Sequence, residues 1–194
     1  MRRARHSIVV VSIALLAAAG CGLRSDRFYT LSSTAAAPPA PQALRVGLGP
    51  VDIPAYLDQP LLATRVDANR VDYAGYDRWA APLALQVPRV LAEDLGAAGR
   101  LSVVTYPWYP TTPLDVVVRV NLLVFESDHD GTGHLDAAWS LVDPRTGAVR
   151  RSDRTTLTEP AAGRSREAAV AALSRALAEL ARRIEETLPA ARPS

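Results

Sequence analysis

Along one stretch every second residue is apolar: Val116, Val118, Val120, Leu122 and Val124, with Asp115, Arg119 and Asn121 among the residues between them. A period of two fits only an extended chain, because successive side chains of a strand leave on opposite faces. The spacing predicts a strand over residues 114–126, one face in a core and the other mixed. A second pattern has the helical period. Val170, Leu173, Leu177, Leu180, Ile184 and Leu188 step by three and four, which draws one apolar stripe along a helix over residues 165–188. Ser165 suits its N-cap, and Pro189 ends it. A chain carrying both patterns buries them together, helix against sheet.

The remaining elements follow from alternation and from breakers. Leu44, Val46 and Leu48 alternate with Arg45 and Gly47, a strand closed by Pro50 and Pro54. Residues 61–66 and 70–73 are short strands around the turn Asp67-Ala68-Asn69. Residues 79–95 read as a helix with Leu83, Val87, Val90, Leu91 and Leu95 on one side. Pro82 fits its first turn, whereas Pro88 predicts a kink or a late start. Residues 101–106 and 135–141 are further strands, and Asp143-Pro144-Arg145-Thr146-Gly147 turns into a polar edge strand over 148–158. Phe28-Tyr29-Thr30-Leu31 is β-prone. Helices alternate with groups of strands, which predicts a two-layer α/β sandwich. Its mixed sheet has about six to seven strands, with two main helices packed on it.

The N-terminus is of another character. Arg2, Arg3, Arg5 and His6 precede an apolar run from Ile8 to Ala19, 12 residues long. That length suits a signal peptide and falls short of the ~20 residues of a spanning helix. Ala18-Ala19-Gly20 then lead to Cys21, the only cysteine. A small residue before a lone cysteine resembles a bacterial lipobox, with Ala18 standing where leucine is usual. The sequence therefore divides into a signal peptide over 1–20, a lipidated N-terminus and Ala/Pro-rich tether over 21–43, and a folded domain over 44–190. Ala35-Ala36-Ala37-Pro38-Pro39-Ala40-Pro41 gives the tether its stiffness, since Pro-rich chain extends by ~3.1 Å per residue.

Composition narrows the function classes. Three of the 22 arginines precede Cys21, so the processed chain holds 19 arginines against 20 acids and is nearly neutral. Bulk charge gives no case for nucleic-acid binding. With Cys21 lipidated, no thiol remains for a disulfide framework or a cysteine metal site. Asp128-His129-Asp130-Gly131-Thr132-Gly133-His134 faintly resembles a calcium loop. It lacks the further spaced acid and the late glutamate, and reads as a polar hairpin tip. No hydrolase, zincin or phosphate-loop pattern occurs, and the acids are scattered singly. The sequence thus offers no catalytic residue, no metal ligand set and no cofactor. Aromatic residues are the remaining candidates. Trp108-Tyr109 sits between Pro107 and Pro110, and Tyr56, Tyr76 and Trp79 lie in or beside other loops. These five are the candidate partner-binding residues, with core packing the stronger account of Trp79.

Several of these segments together carry a resemblance. The lipobox cysteine is followed by Phe28-Tyr29-Thr30-Leu31. Then come Val51-Asp52-Ile53-Pro54-Ala55-Tyr56-Leu57-Asp58-Gln59-Pro60, Arg78-Trp79-Ala80-Ala81-Pro82-Leu83 and Val90-Leu91-Ala92-Glu93-Asp94-Leu95. In this order and spacing the chain resembles the ABC-type transport auxiliary lipoprotein family, the PqiC-like lipoproteins. The resemblance implies an α/β sandwich like the N-terminal domain of TolB. It also implies a non-catalytic outer-membrane component of an envelope transport system for lipids or hydrophobic substrates. The implied partners are an MCE-domain protein with its permease and ATPase, and the membrane through the lipid on Cys21; self-association is left open. Gly22, rather than aspartate, follows Cys21, as expected for residence in the outer membrane on its periplasmic face. The competing reading is a periplasmic structural or assembly lipoprotein unconnected to transport.

Overall fold

A computed structural model describes residues 25–34, 44–97 and 99–189. The signal peptide, Cys21 and most of the tether predicted by sequence lie outside the described residues. Eight strands and two helices follow in the order β1 (Arg27–Tyr29), β2 (Leu44–Asp52), β3 (Leu61–Asp67), β4 (Arg70–Trp79), α1 (Leu83–Gly96), β5 (Leu101–Thr105), β6 (Val116–Asp128), β7 (Gly133–Val142), β8 (Val149–Glu159) and α2 (Arg166–Glu185). The predicted two-layer α/β sandwich with a mixed sheet and two main helices is what forms.

The longest strand, β6, organises the sheet. Antiparallel β7 lines one edge of it from Val117 to Ser127. The other edge is shared: β2 runs parallel to its first half, and β3 meets it only at Ser127 and Asp128. Parallel β5 flanks β2, antiparallel β4 flanks β3, and parallel β1 completes that wing on β4. On the far side β8 pairs only with β7, which explains its polar sequence as an edge.

Both helices cover one face. Val46, Leu48, Val118, Val120, Leu122, Leu135 and Leu141 meet Val87, Val90, Leu91, Leu95, Leu177, Leu180 and Ile184 in a single core. Burying one such side chain stabilises the fold by about 1.5–3 kcal/mol. Trp139 is accommodated among them because its indole N–H donates to Thr155 Oγ1 at 3.0 Å. The alternation in β6 breaks once. A register shift between Leu122 and Val124 puts Phe125 into the core and leaves Val124 half-buried, so Val124 does not continue the buried face as its spacing predicts.

The first helix begins at Leu83, not Trp79. Trp79 is the last residue of β4, and Pro82, whose φ of −51° and ψ of 138° are not helical, caps the start. Pro88 lies inside α1, where it removes one backbone donor. In α2, Ser165 caps as its chemistry predicts, its side chain accepting from the Ala168 N–H at 3.2 Å.

The folded unit also starts earlier than Leu44. Strand β1 pairs with β4, and Tyr29 and Leu31 belong to the core. Residues 30–34 then lie along the helical layer as a strap. The Leu31 N–H donates to Gln86 Oε1 at 2.9 Å, and the Leu31 carbonyl accepts from Arg89 at 3.0 Å. The Ser32 N–H donates to Ser174 Oγ at 3.3 Å, and the Thr34 N–H to Asp94 Oδ1 at 3.0 Å. These bonds satisfy a backbone that no strand pairs, and they explain why Gln86, Asp94 and Ser174 are buried polar residues of the two helices. The Ala/Pro segment therefore joins the strap to β2. Residues 27–34 belong to the folded unit, ahead of the domain start expected at residue 44, and residues 21–24 and 35–43 lie outside the described residues.

Candidate interaction surface

The face of the sheet opposite the helices is uncovered over much of its area. Arg119 and Asn121 of β6 are exposed there, and Asp136 is held on β7 between Arg154 and Thr156 of β8. Arg154 keeps the Asp136 carboxyl below the usual carboxylate range by its hydrogen bonds. At the end of β6, Glu126 is only 3 % exposed, and its charge is met from two sides. Arg65 Nε donates to Oε1 at 2.5 Å and the Tyr56 hydroxyl to Oε2 at 3.3 Å. Burial first, and then the Glu126 charge, push the Tyr56 hydroxyl upward, so it stays a donor. The Tyr73 hydroxyl donates to the Tyr56 carbonyl at 2.9 Å and closes the loop over this end.

Asp128, beside it, serves the hairpin turn. Its Oδ1 accepts from the Asp130 and Thr132 N–H groups, and His134 Nε2 lies 3.1 Å from Oδ2. Burial alone would raise its carboxyl. The His134 contact and the backbone donors outweigh burial and hold it below the ordinary value. No group of three or more metal-ligating side chains gathers among the described residues.

The other end of the uncovered face carries the Pro-flanked loop. Trp108 is half-buried against β2, where Gly47 leaves room for it. A Cβ on Gly47 would stand 2.7 Å from Leu114 Cδ1 and 3.1 Å from Trp108 Cη2. Tyr106 meets the Trp108 ring edge-to-face, with centroids 5.5 Å apart and planes at 87°. The Tyr106–Pro107 peptide is cis. The Tyr109 carbonyl accepts from the Thr112 N–H at 2.9 Å, closing a turn that leaves the Tyr109 side chain 80 % exposed. Trp108 thus seats the loop and Tyr109 is displayed by it.

The five candidate aromatics do not converge. Gly47 is in register with Val117 near the start of β6, whereas Tyr56 reaches Glu126 near its end. Nine residues of strand, about 30 Å, separate the two positions. Tyr76 is exposed on β4, and Trp79 lies in the core. Sequence reasoning missed Tyr106, which reads as the last residue of a strand, and Arg65 with Glu126, which read as ordinary strand charges. Their only signal was a glutamate one step beyond an apolar alternation. The arrangement pairs Glu126, Asp128 and Asp136 internally and presents aromatic surface, the chemistry of an interface.

Residues 29–185 match the family described as the ABC-type transport auxiliary lipoprotein component. The chain belongs to this family. A crystal structure of an uncharacterized protein superposes on this auxiliary lipoprotein with a TM-score of 0.71 at 17 % identity, covering 84 % of this chain and 98 % of that one. A DUF330 protein from Xanthomonas campestris gives a TM-score of 0.68 at 17 % identity, covering 82 % and 92 %. At such identity the likeness concerns the fold. No curated protein matches the auxiliary lipoprotein's sequence significantly. None of its helices, among the described residues, is long and apolar enough to cross a membrane.

Proposed function

We propose that this auxiliary lipoprotein is the non-catalytic outer-membrane component of an MCE/ABC-type envelope transport system for lipids or other hydrophobic substrates. It is acylated at Cys21, faces the periplasm, and docks the MCE-domain partner through the loop that carries Trp108 and Tyr109. One observation carries the docking role: Tyr109 is 80 % exposed on a loop whose neighbour Trp108 is fixed against the sheet. A large aromatic side chain on a pre-ordered backbone loses little entropy on binding, and tyrosine is a frequent interface hot spot. Several acyl chains hold such a domain stably, each buried CH₂ contributing ~0.8 kcal/mol.

The test is capture of an MCE-domain protein by the full-length lipoprotein solubilised from membranes. Tyr109→Ala should lower capture several-fold with an unchanged thermal melt. Unchanged capture by both Tyr109→Ala and a folded Trp108→Ala, Tyr109→Ala double variant removes this loop as the docking surface. Failure of the intact protein to capture any MCE-domain protein overturns the transport partner itself.

A further inference from the structure

We infer that the β1–β4 wing is the membrane-facing surface of the domain, with Phe28 and Tyr76 set against the lipid headgroup region. The inference rests on acylation of Cys21. Phe28 follows Cys21 by seven residues, so its Cα stands no more than ~25 Å from the acylated residue. Residues 27–29 are paired into the sheet, so the domain hangs from its own first strand and not from a long spacer.

That strand presents an apolar group outward. Tyr29, Asp77 and Trp79 are buried, while the alternate residues Phe28 and Tyr76 are 66 % and 44 % exposed. Phe28 and Arg78 are register partners, and by the two-residue period Phe28, Tyr76 and Arg78 share the outer face. The charges around them are matched in place. Arg78 Nε donates to Asp26 Oδ2 at 2.8 Å, and Arg27 pairs with Asp77 at 2.7 Å. With the charges paired, the two rings set the preference of the patch, and amphipathic or apolar aromatics settle at the membrane–water boundary.

The topology agrees with this orientation. The wing reaches β6 only through β3 at Ser127 and Asp128, whereas Trp108 is seated level with Val117. Some 30 Å of strand separates the two levels. A membrane met at the wing therefore lies nearer Phe28 and Tyr76 than the Tyr109 loop, which sits at the opposite end of the same uncovered face.

Site-directed spin labelling tests the orientation. With Cys21 acylated, an introduced cysteine is the only thiol. Phe28→Cys, Tyr76→Cys and Tyr109→Cys are made in the full chain, nitroxide-labelled, and reconstituted in vesicles of phosphatidylethanolamine and phosphatidylglycerol. All three positions are exposed, so folding is retained. Relaxation by bilayer-dissolved oxygen should be several-fold stronger at positions 28 and 76 than at 109. Equal relaxation at all three positions, with Cys21 acylated by mass spectrometry of the same sample, overturns the membrane-facing assignment alone. An unmodified Cys21 overturns the lipidation reading, and this inference with it.

Discussion

On one face of β6, Val118, Val120 and Leu122 are enclosed by aliphatic side chains of both helices; on the other, Arg119 and Asn121 are open and Glu126 is buried by Arg65 and Tyr56. The same strand thus belongs to two kinds of structure. The covered face is held by dispersion and the hydrophobic effect, which are non-directional and tolerate shuffling among aliphatic residues. The uncovered face depends on particular donors meeting particular acceptors, where losing one partner strands the other. The first kind sets how stable the molecule is, and the second sets where its loops sit.

The largest effect is expected on the covered face. Leu177 is fully enclosed, so Leu177→Ala should lower unfolding free energy by about 2–5 kcal/mol in a denaturant melt. A loss well under that range would mean α2 is not part of the core. On the uncovered face, Glu126→Ala leaves Arg65 and Tyr56 without their acceptor and should cost about 1–3 kcal/mol. Glu126→Gln should recover part of it, because an amide still accepts from Arg65. If Glu126→Ala leaves the melt unchanged, polar pairing does not hold that end of the sheet.

A smaller effect tests the polar exception on the covered side. Asp94 Oδ1 accepts from Ser33 Oγ at 2.6 Å and from the Thr34 N–H, while Oδ2 is buried and accepts from no described residue. Burial, the dominant cause, raises its carboxyl above the ordinary value despite these two donors. The folded state therefore binds the proton more tightly than the unfolded chain. This stability is fully present below the ordinary carboxylate value and is lost as pH rises through the raised one. Asp94→Asn should remove that slope, gaining stability relative to the parent at neutral pH and losing the advantage in acid. Denaturant midpoints across that window check it; parallel pH profiles would contradict it.

The smallest effect belongs to Tyr109. Exposed as it is, Tyr109→Ala should shift stability by less than about 0.5 kcal/mol while changing partner capture. A large shift in the melt would mean that Tyr109 packs on the domain instead of being displayed by it.

Much of the covered face was legible in the linear order of residues. The alternation from Val116 to Leu122, the stripe from Val170 to Leu188 and the Ser165 cap each follow from burial or capping within one element, so their spacing predicts them. Trp79 closed β4 instead of opening α1, because Pro82 and pairing with Tyr29 decide that boundary. The uncovered face was less legible. Tyr109 could be singled out from its flanking prolines, but Tyr106 on Trp108 and Arg65 on Glu126 join residues two to 61 positions apart through contacts that no periodicity encodes.

By itself the sequence determined which elements form, which of their faces are apolar, and that a lone cysteine follows a signal-like segment, because these depend on local spacing and side-chain chemistry. Only the tertiary structure decided that β2 and β3 share one edge of β6, that the register shift hands burial from Val124 to Phe125, and that residues 30–34 strap the helices ahead of the Ala/Pro segment. Each of these is settled by groups distant in the chain competing for the same hydrogen bonds and the same buried volume. Such a competition is resolved only when the chain has folded.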